Sequence, residues 1–345
     1  MVDAYHSQCT SVFLTSAHDF SVQPSWRNAC NVYHRKMNKK KLFSLTLLPL
    51  TTLLPLFSHA EVNMQNGNYY KTWVDLEITN QNYTYQLRRT YDSRSLHQGL
   101  FGYGWCSDFE KSLEFRRSDQ IVLRDCKLKV PIKYQKIKNT LYRSLTDPKD
   151  TLQVQDNTYE RKTAHSLQKF NSNGQIVTLS NHQGFHLRFQ YIPASGALQK
   201  ILIQNFAEIV LKMDARSRLV RSVSTVGSPL ITYRYDGANN LTSMTNAWNG
   251  KFDYAYDDFH NLTRVTYPDS TDEKLTYDKE RDLILNIRTR DLCQDNFQWQ
   301  QYGAKKLSQY KSSARRICSG KTINEAKFDF KNKSQKRNIA TQTGE

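Results

Sequence analysis

The chain has 345 residues, enough for two or three ordinary domains, and a formal net charge of +17. Tyrosine is frequent, with 20 residues, whereas glycine has only 13, and hydrophobic residues make up 38% of the chain. This composition argues against a membrane-embedded protein, a collagen-like chain and a long coiled coil, and 12% aromatic residues are too many for a disordered chain. Abundant tyrosine with little glycine favours β-structure.

Residues 37–60 have the three parts of an export signal. Lys39 to Lys41 form a basic start, Leu42 to Phe57 form an apolar stretch, and Ser58-His59-Ala60 supplies the small residues that a signal peptidase accepts. The apolar stretch is shorter than the ~20 residues of a transmembrane helix, although an uncleaved anchor is the alternative. Residues 1–36 have no place in such a signal, so we predict either a true start at Met37 or an unusually long leader.

Four cysteines follow this predicted signal: Cys106, Cys126, Cys293 and Cys318. They allow three pairings, and the sequence does not choose among them. The local pairs would close loops of about 20 and 25 residues and would each stabilise the fold by roughly 3 kcal/mol. A four-cysteine zinc site is the alternative, but the Cys-x2-Cys spacing typical of such sites is absent. Disulfides are therefore favoured, and no metal site is predicted.

A 21-residue repeat runs through the second half of the chain. The pair Tyr-Asp occurs three times, and a leucine stands five residues beyond each aspartate. The signature residues are Tyr235, Asp236 and Leu241, then Tyr256, Asp257 and Leu262, then Tyr277, Asp278 and Leu283. Weaker copies extend the pattern to roughly 170–300.

Each copy has the pattern of a β-hairpin. An alternating Tyr-x-Tyr places two rings on one face of a strand, where rings of neighbouring strands can stack. The aspartate can close a turn through its side chain, and Leu-Thr then begins the return strand. Hairpins of this size cannot bury a face alone, so we expect them to stack side by side into one long antiparallel sheet.

The repeat resembles the YD repeat of the RHS (rearrangement hotspot) proteins, whose consensus is Tyr-Asp-x-x-Gly-Asn-Leu. The consensus glycine is present only at Gly174, whereas Ser217, Asn239, His260 and Arg281 take its place in the other copies. Positive φ suits glycine and is tolerated by asparagine, but it is unfavourable for most side chains. The later turns are therefore expected to be degenerate or built differently.

A second block, residues 89–106, resembles the N-terminal module that opens many RHS proteins. The family pattern is Arg-x-Tyr-Asn-Ser-Arg-Ser and then Gly-x-Phe-Gly-x-Gly-Trp, from which only Asp92 departs. The matching residues are Arg89, Tyr91, Ser93, Arg94, Gly102, Gly104 and Trp105. We predict this module over 61–169, the repeats over 170–300 and a basic tail over 301–345.

No catalytic motif is visible in the sequence, so no catalytic residue and no cofactor is predicted. His182 and His186 have the spacing of a helical metal pair, but the alternating residues around them predict a strand and surface positions. A glycosidase needs only two carboxylates, and this remains a minor alternative. Candidate carboxylates cluster at predicted turns, at Asp257-Asp258 and at Asp269, Asp272 and Glu273.

Positive charge is concentrated at the end of the chain. Residues 304–345 contain eleven basic and three acidic residues. Such a segment is either a solvated tail or a contact for an anionic surface, such as lipopolysaccharide, an acidic glycan or, with weaker support, nucleic acid. An open sheet would also present an unpaired edge, which favours self-association or pairing with a partner chain.

These patterns predict a mostly β protein: an antiparallel hairpin-repeat sheet, like an incomplete RHS shell, preceded by a small β-rich module. Resemblance to the RHS family implies a secreted or surface-delivered protein, and in large members the repeats enclose a C-terminal toxin. We predict an exported, non-enzymatic scaffold of the periplasm, cell surface or extracellular space that binds a surface or a partner. A component of a polymorphic toxin system is one alternative, and a secreted carbohydrate-active enzyme is another.

Overall fold

The computed structural model describes residues 62–338, apart from 81–82, 129, 164–165, 225–226, 228–229, 247–248, 302–308 and 332–333. The predicted leader, 1–36, and the predicted signal peptide, 37–60, lie outside the described residues. All regular secondary structure in the described ranges is strand, which confirms the mostly β fold. In this part of the chain, no helix has the length and hydropathy that a membrane crossing requires.

A small N-terminal sheet comes first. Its strands, with a short hairpin beside them, are β1 (Val62–Asn63), β2 (Asn68–Thr79), β3 (Thr84–Asp92), β4 (Gln98–Gly99), β5 (Gly102–Tyr103) and β6 (Trp105–Ser107). Strands β1, β2, β3 and β6 pair in that order, and β4 pairs with β5. Alternate residues of β3, such as Leu87 and Tyr91, are buried, so one face of this sheet packs against another layer.

The rest of the described chain forms one long sheet. Its strands are β7 (Lys111–Arg117), β8 (Gln120–Asp125), β9 (Ile132–Lys138), β10 (Leu141–Ser144), β11 (Thr151–Gln155), β12 (Thr158–Lys162), β13 (Ser166–Phe170), β14 (Ile176–Asn181), β15 (His186–Tyr191), β16 (Leu198–Ile203), β17 (Ala207–Met213), β18 (Leu219–Ser224), β19 (Leu230–Tyr235), β20 (Leu241–Thr245), β21 (Lys251–Tyr256), β22 (Leu262–Thr266), β23 (Asp272–Asp278), β24 (Leu283–Arg288), β25 (Gln294–Gln301), β26 (Gln309–Cys318), β27 (Lys321–Lys331) and β28 (Ser334–Asn338).

Antiparallel ladders join each of these strands to the next in sequence, from β7 to β28. This is the topology that a row of β-hairpins produces. Among the described residues, no ladder joins β28 back to β7, so the sheet is open. The predicted antiparallel hairpin-repeat sheet, preceded by a small β-rich module, is confirmed.

The repeat hairpins bury one face of the long sheet. In β19 and β21, Tyr233 and Tyr254 are buried, whereas their neighbours Arg234 and Ala255 are exposed. Successive side chains of a strand point to opposite faces. The long sheet therefore has an inner face, which carries the Tyr-x-Tyr pairs, and an outer face, which carries exposed and mostly polar side chains.

Four of the turns that follow the Tyr-Asp position, here called YD turns, share one backbone shape. Their fourth residues, Gly174, Ser217, Asn239 and His260, all have positive φ, between 61° and 79°. The expectation that turns without glycine are built differently is therefore wrong for the turns at Ser217, Asn239 and His260. Positive φ costs a non-glycine residue roughly 1–2 kcal/mol, and the hydrogen bonds of the turn offset this cost.

The last predicted YD turn does differ. Its positive φ lies at Asp282, at 54°, rather than at Arg281. Tyr277 pairs with Ile284, which is fully buried, whereas Leu283 is only half-buried. The turn is longer by one residue, so the structural equivalent of the signature leucine in this copy is Ile284.

The long sheet extends beyond the predicted repeat region on both sides. Strands β7 to β12, within the predicted module of 61–169, belong to it, and so do β26 to β28, within the predicted tail of 301–345. The small N-terminal sheet itself ends at Ser107. These additional strands carry no Tyr-Asp pairs, so the signature does not mark where the sheet begins and ends.

Strand β7 also contacts a YD turn that is far away in sequence. Leu113 N donates to Gly174 O at 2.8 Å, and Ser112 forms an isolated bridge with Gln175. A Cβ atom at Gly174 would lie 2.1 Å from Leu113 O. Glycine is therefore required here for its positive φ of 79° and also for the close approach of another strand.

We expect Gly174→Ala to lower the free energy of unfolding by about 2–3 kcal/mol, because it adds a steric clash to an unfavourable φ. The matched control is Gly237→Ala, where a Cβ atom meets nothing within 4 Å, and its effect should stay within about 0.5 kcal/mol. Urea unfolding of both variants measures the difference, and equal midpoints would contradict the assigned contact.

Candidate functional site

The aspartate of a YD turn closes that turn with its side chain. Asp236 accepts hydrogen bonds from Asn240 N at 2.8 Å and from Asn240 Nδ2 at 2.9 Å. Asp257 accepts the equivalent bonds from Asn261 at 2.9 and 3.2 Å. In these two copies, Asp and Asn four residues apart together satisfy the polar groups of the turn. In the two earlier copies the equivalent backbone donors are Arg218 N and Gln175 N.

The signature tyrosine binds the preceding hairpin. Tyr256 Oη donates to Leu241 O at 2.9 Å, fifteen residues earlier in the chain. Trp299 occupies the same place in a later copy, and its Nε1 donates to Ile284 O at 2.7 Å. Each aromatic side chain thus links two hairpins and holds their relative position.

The N-terminal sheet covers the inner face of the repeats, and a buried ion pair lies at this interface. Arg89 Nε donates to both oxygens of Asp75 at 3.0 and 2.8 Å, and neither side chain is exposed. Tyr233 Oη donates to Asp75 Oδ2 at 2.9 Å, and Arg89 Nη2 donates to Tyr254 Oη at 2.5 Å. These four residues form one polar network, the Arg89 network, which joins the two sheets.

Aromatic rings surround the guanidinium of this network. Arg89 Cζ lies 4.5 Å from the centroid of the Trp105 ring and 5.1 Å from that of Tyr254. Cation–π contacts of this kind contribute about 2 kcal/mol when they are desolvated. Burial raises the pKa of Asp75, whereas the charge and hydrogen bonds of Arg89 oppose that rise. Burial disfavours the charge on Arg89, but attraction to Asp75, Tyr254 and Tyr233, together with the hydrogen bonds to Asp75, raises the pKa of Arg89.

A second buried carboxylate joins the same two sheets. Glu273 lies on the inner face of β23. It accepts a hydrogen bond from Tyr69 Oη at 2.8 Å and forms an ion pair with Lys71 Nζ at 2.7 Å. Both partners lie on β2. Because Glu273 is 3% exposed, loss of either partner would leave a charge poorly compensated.

The glycine-rich hairpin β4–β5 lies against the YD turns. Tyr103 N donates to Asn239 O at 2.8 Å, and the Tyr103 ring stacks on His260 with the centroids 3.9 Å apart. Gly102 has a φ of 84°, and a Cβ atom there would lie 2.4 Å from Asn239 O. The N-terminal motif of residues 89–106 and the turns of the Tyr-Asp repeats are therefore parts of one interface.

The other residues of the N-terminal motif reach the same row of turns. Tyr91 Oη donates to His260 O and accepts from Leu262 N, both at 2.9 Å, and Trp105 Nε1 donates to Tyr256 Oη at 2.9 Å. Arg94 Nη1 donates to Asp282 O at 2.9 Å. Ser93 and Gly104 instead make contacts within the N-terminal module: Tyr69 N donates to Ser93 Oγ at 3.1 Å, and Gly104 lies close to the Tyr91 ring.

Two disulfides reinforce the structure. Cys106 is bonded to Cys126, which ties β6 of the N-terminal sheet to the end of β8. Cys293 is bonded to Cys318, which ties the start of β25 to the end of β26. These are the local pairings among the three that the sequence left open. Disulfides of this kind are typical of extracellular or periplasmic proteins.

A polar cleft of about 870 Å³ opens beside the first disulfide. His97 Nε2 lies 3.0 Å from Glu110 Oε2 at its wall, and Cys126 also lines it. Glu110 is held in place by Ser107 N, at 2.9 Å from Oε1, and by Leu100 N, at 2.9 Å from Oε2. The carboxylate is thus well oriented and lies within reach of solvent through the cleft.

The structure separates the carboxylates that the sequence grouped together. Asp272 and Glu273 are adjacent in β23, so they lie on opposite faces, and Asp272 binds Arg288 Nη2 at 2.8 Å on the outer face. Asp269 binds Arg290, and Asp257 closes its turn. These contacts give the three aspartates structural partners and divide the cluster between two surfaces.

The two histidines with the spacing of a metal pair lie in different kinds of structure. His182 lies in the turn between β14 and β15, with Nε2 3.3 Å from Thr163 O, whereas His186 begins β15. The sequence placed both on one strand face, but only His186 lies on a strand.

Sequence patterns did not identify Asp75, and they grouped Glu273 only with the carboxylates at predicted turns. Asp75 and Glu273 are the buried acids that receive the cross-sheet bonds, and Tyr233 and Tyr254 are their inner-face neighbours. The signal available was an acid within an apolar alternating strand, as in Trp73-Val74-Asp75-Leu76. A pattern of this kind indicates burial but does not identify the partner.

These observations define the class: a β-hairpin repeat protein whose N-terminal sheet covers the inner face of its repeats. Residues 235–272 match the model of the RHS repeat family, and residues 59–130 match DUF6531, a domain of unknown function. The resemblance of the repeats to the RHS family is confirmed over residues 235–272. No curated protein matches the chain.

Three solved structures are similar over most of this chain. A Photorhabdus luminescens Tc holotoxin pore with a mutated TccC3 shares 10% identity over 80% of this chain, with a TM-score of 0.30. TcdB2-TccC3-TEV shares 13% over 75%, with a TM-score of 0.29, and TcdB2-TccC3 without its hypervariable C-terminal region shares 11% over 80%, with a TM-score of 0.29. The chain spans only 15–16% of the length of these structures.

We expect Asp75→Ala to destabilise the protein by about 3–5 kcal/mol, because it leaves Arg89 buried without its counter-charge. The double variant Asp75→Leu with Arg89→Met should recover much of this loss, since it removes both charges. Arg88→Ala, at the exposed neighbouring position, is the matched control. Urea midpoints that are the same for Asp75→Ala and Arg88→Ala would show that the network does not join the sheets.

Stability should fall steeply in alkaline solution. Burial raises the pKa of Tyr254 to about 12 and also raises those of Tyr91, Tyr233, Tyr256 and Tyr277. Because unfolded tyrosine has a pKa of about 10, this stabilisation is complete below pH ~10 and is lost as the pH rises towards the folded values.

Thermal unfolding between about pH 8 and pH 12 measures this effect. Tyr256→Phe should make the alkaline decline shallower, and Tyr70→Phe, at a 40% exposed position, is the control for removing one phenol. A melting temperature that is independent of pH across this range would contradict the burial of these hydroxyls.

Proposed function

We propose that this chain is an exported, non-enzymatic RHS-repeat scaffold that presents its outer face and sheet edge to a partner or surface. The Arg89 network is the observation that carries the proposal. Its four buried polar groups, on two different sheets, bind one another and hold a preformed assembly. A rigid framework of this kind suits a protein whose task is to hold or display other groups.

The arrangement of the carboxylates supports a non-enzymatic role. A glycosidase requires two carboxyl groups that face one sugar across a cleft. Here Asp272 is held by arginines on the outer face, and Glu273 is buried against Tyr69 and Lys71 on the inner face. Hydrolysis of an acidic glycan that is lost on changing one turn carboxylate would favour the enzyme alternative.

The two disulfides and the leader together support export. Residues 37–60 have the organisation of a cleavable signal peptide. The disulfides require an oxidising compartment, which export would provide. The periplasm, the cell surface and the extracellular space all meet this requirement.

The partner is proposed to bind at the sheet edge or on the outer face. An open antiparallel sheet has unpaired backbone groups at its edges, which can pair with another strand. Positive charge near the C-terminus is partly neutralised, since Arg316 pairs with Asp295 and Asp291, and Arg315 pairs with Glu325. Strand pairing, with a second copy or a partner chain, is therefore favoured over binding to lipopolysaccharide, an acidic glycan or nucleic acid.

A component of a polymorphic toxin system is the second candidate. The consecutive hairpins with a one-sided inner face are the observation that favours it, because further hairpins could continue such a sheet and enclose a larger space. A neighbouring reading frame that continues the 21-residue phase, or an adjacent immunity-like gene, would support this candidate.

Expression of the full chain in a bacterial host tests export and edge pairing together. We expect non-reducing peptide mapping of the secreted fraction to find an N-terminus at Glu61 and both disulfides. Light scattering should show self-association that rises with protein concentration. Leu47→Arg with Leu48→Arg, which interrupts the apolar stretch, should retain the protein inside the cell as the matched control.

Retention of the unaltered chain in the cytoplasm with 37–60 intact would contradict export. A monodisperse monomer at all concentrations, with one sharp melting transition, would contradict edge pairing.

A further inference from the structure

We propose that the site of the first disulfide, once reduced, binds a divalent zinc ion through Cys106, Cys126, His97 and Glu110. This inference is independent of the proposed function. It rests on three side chains whose donor atoms lie close together: His97 Nε2, a Glu110 carboxylate oxygen and Cys126 Sγ are all within 4.8 Å of one another. Cys106 Sγ is directly bonded to Cys126 Sγ, so reduction would release a second thiol beside this group.

The four donors match the preference of zinc. Zinc in proteins is usually tetrahedral, with thiolate, imidazole and carboxylate ligands at about 2.0–2.3 Å. Donors around such an ion are roughly 3.3–3.8 Å apart, so the donors of His97, Glu110 and Cys126 would have to approach by about 1 Å at most. The two sulfurs would have to separate after reduction. His97 Nε2 and Glu110 Oε2 are already 3.0 Å apart. Two thiolates with one imidazole favour zinc over magnesium or calcium, which prefer oxygen ligands.

The supporting contacts are those of a well-positioned ligand. Glu110 Oε1 accepts hydrogen bonds from Ser107 N at 2.9 Å and from Ser107 Oγ at 3.1 Å. Its Oε2 accepts from Leu100 N at 2.9 Å and lies 3.0 Å from His97 Nε2. Orienting bonds of this kind around a metal ligand strengthen metal binding. The side chain of Glu110 is 9% exposed and that of His97 is 31% exposed, so the site is sheltered but open to the cleft.

Formation of the site needs a two-electron reduction. A dithiol attacks the bond between Cys106 and Cys126, and two electrons and two protons convert it to two thiols while the dithiol closes to its own disulfide. Zinc then displaces the two thiol protons and binds the neutral imidazole of His97 and the carboxylate of Glu110. The cleft, which His97, Glu110 and Cys126 line, gives the ion a path to the site.

The site would join the same elements that the disulfide joins. Cys106 lies on β6 of the N-terminal sheet, His97 lies just before β4, and Cys126 follows β8 of the long sheet. A bound ion would therefore replace a covalent link between the two sheets by coordination bonds. It would hold them together before oxidation or in a reducing compartment.

Titration of the full chain with Co²⁺ and Zn²⁺, after reduction with a dithiol and removal of the reductant, tests this site. We expect the reduced protein to bind one ion, with thiolate-to-cobalt absorption that Zn²⁺ displaces. Zinc should also raise the melting temperature of the reduced protein. The oxidised protein should show no thiolate absorption.

The matched controls use the second disulfide. Cys293→Ser with Cys318→Ser should keep the absorption, whereas Cys106→Ser with Cys126→Ser should abolish it. His97→Ala should weaken zinc binding about 10-fold or more. Loss of a residue that only supports a metal ligand already costs about 10-fold, and loss of a ligand should cost at least as much. His97 is partly exposed, so this variant tests the ligand without removing a core side chain.

The inference is overturned if reduced wild-type protein binds Zn²⁺ no more tightly than the Cys106→Ser with Cys126→Ser protein. It is equally overturned if His97→Ala leaves the zinc affinity unchanged, or if the absorption depends on Cys293 and Cys318 instead.

Discussion

Burial of the Arg89 guanidinium between two sheets is the constraint on which much of this structure depends. A charge in such a place is tolerated only when its counter-charge and hydrogen-bond partners are fully in position. Asp75 supplies the charge from the neighbouring strand, and Tyr233 and Tyr254 supply hydroxyls from the repeats. The N-terminal sheet and the repeats must therefore meet in one orientation, since a displacement would leave the ion pair without these partners.

Hydrogen bonds within and between the repeat hairpins fix the surface that the N-terminal sheet contacts. Side chains close the YD turns, as Asp236 does by binding Asn240, and the aromatic side chain of one hairpin binds the backbone of the previous one. Neighbouring hairpins are thus held in register by bonds that recur along the chain. The resulting row of turns is the surface that the N-terminal sheet contacts. Tyr91 donates a hydrogen bond to the backbone of His260, and Tyr103 donates one to the backbone of Asn239. Regular local chemistry therefore prepares the contact surface for a less regular N-terminal sheet.

Sequence patterns anticipated the repeats well and the interface poorly. Tyr256, Asp257 and Leu262 were recognised because each carries out a local task, within one hairpin or between consecutive hairpins. Tyr254, the partner of Arg89 in the repeats, was not recognised because it lies 165 residues away in the chain. Tyr69 and Lys71, the partners of Glu273, were not recognised because they lie 204 and 202 residues away. The turn at His260 was also misjudged, because propensity alone disfavours its φ of 67°. Contacts made by the surrounding structure outweigh that preference.

The sequence by itself determined the hairpin period, the antiparallel order of the strands and the resemblance to the RHS repeat, since all three follow from residues close together in sequence. Only the tertiary structure decided which face of the sheet is covered, which cysteines meet and which carboxylates are buried. It also showed that residues 309–318 and 321–331, where the sequence indicated a basic tail, are strands β26 and β27 of the long sheet. The physical reason is the same in each case. These outcomes depend on segments that are distant in the sequence and pack together in the fold, and a local sequence pattern does not show which distant segment a strand will contact.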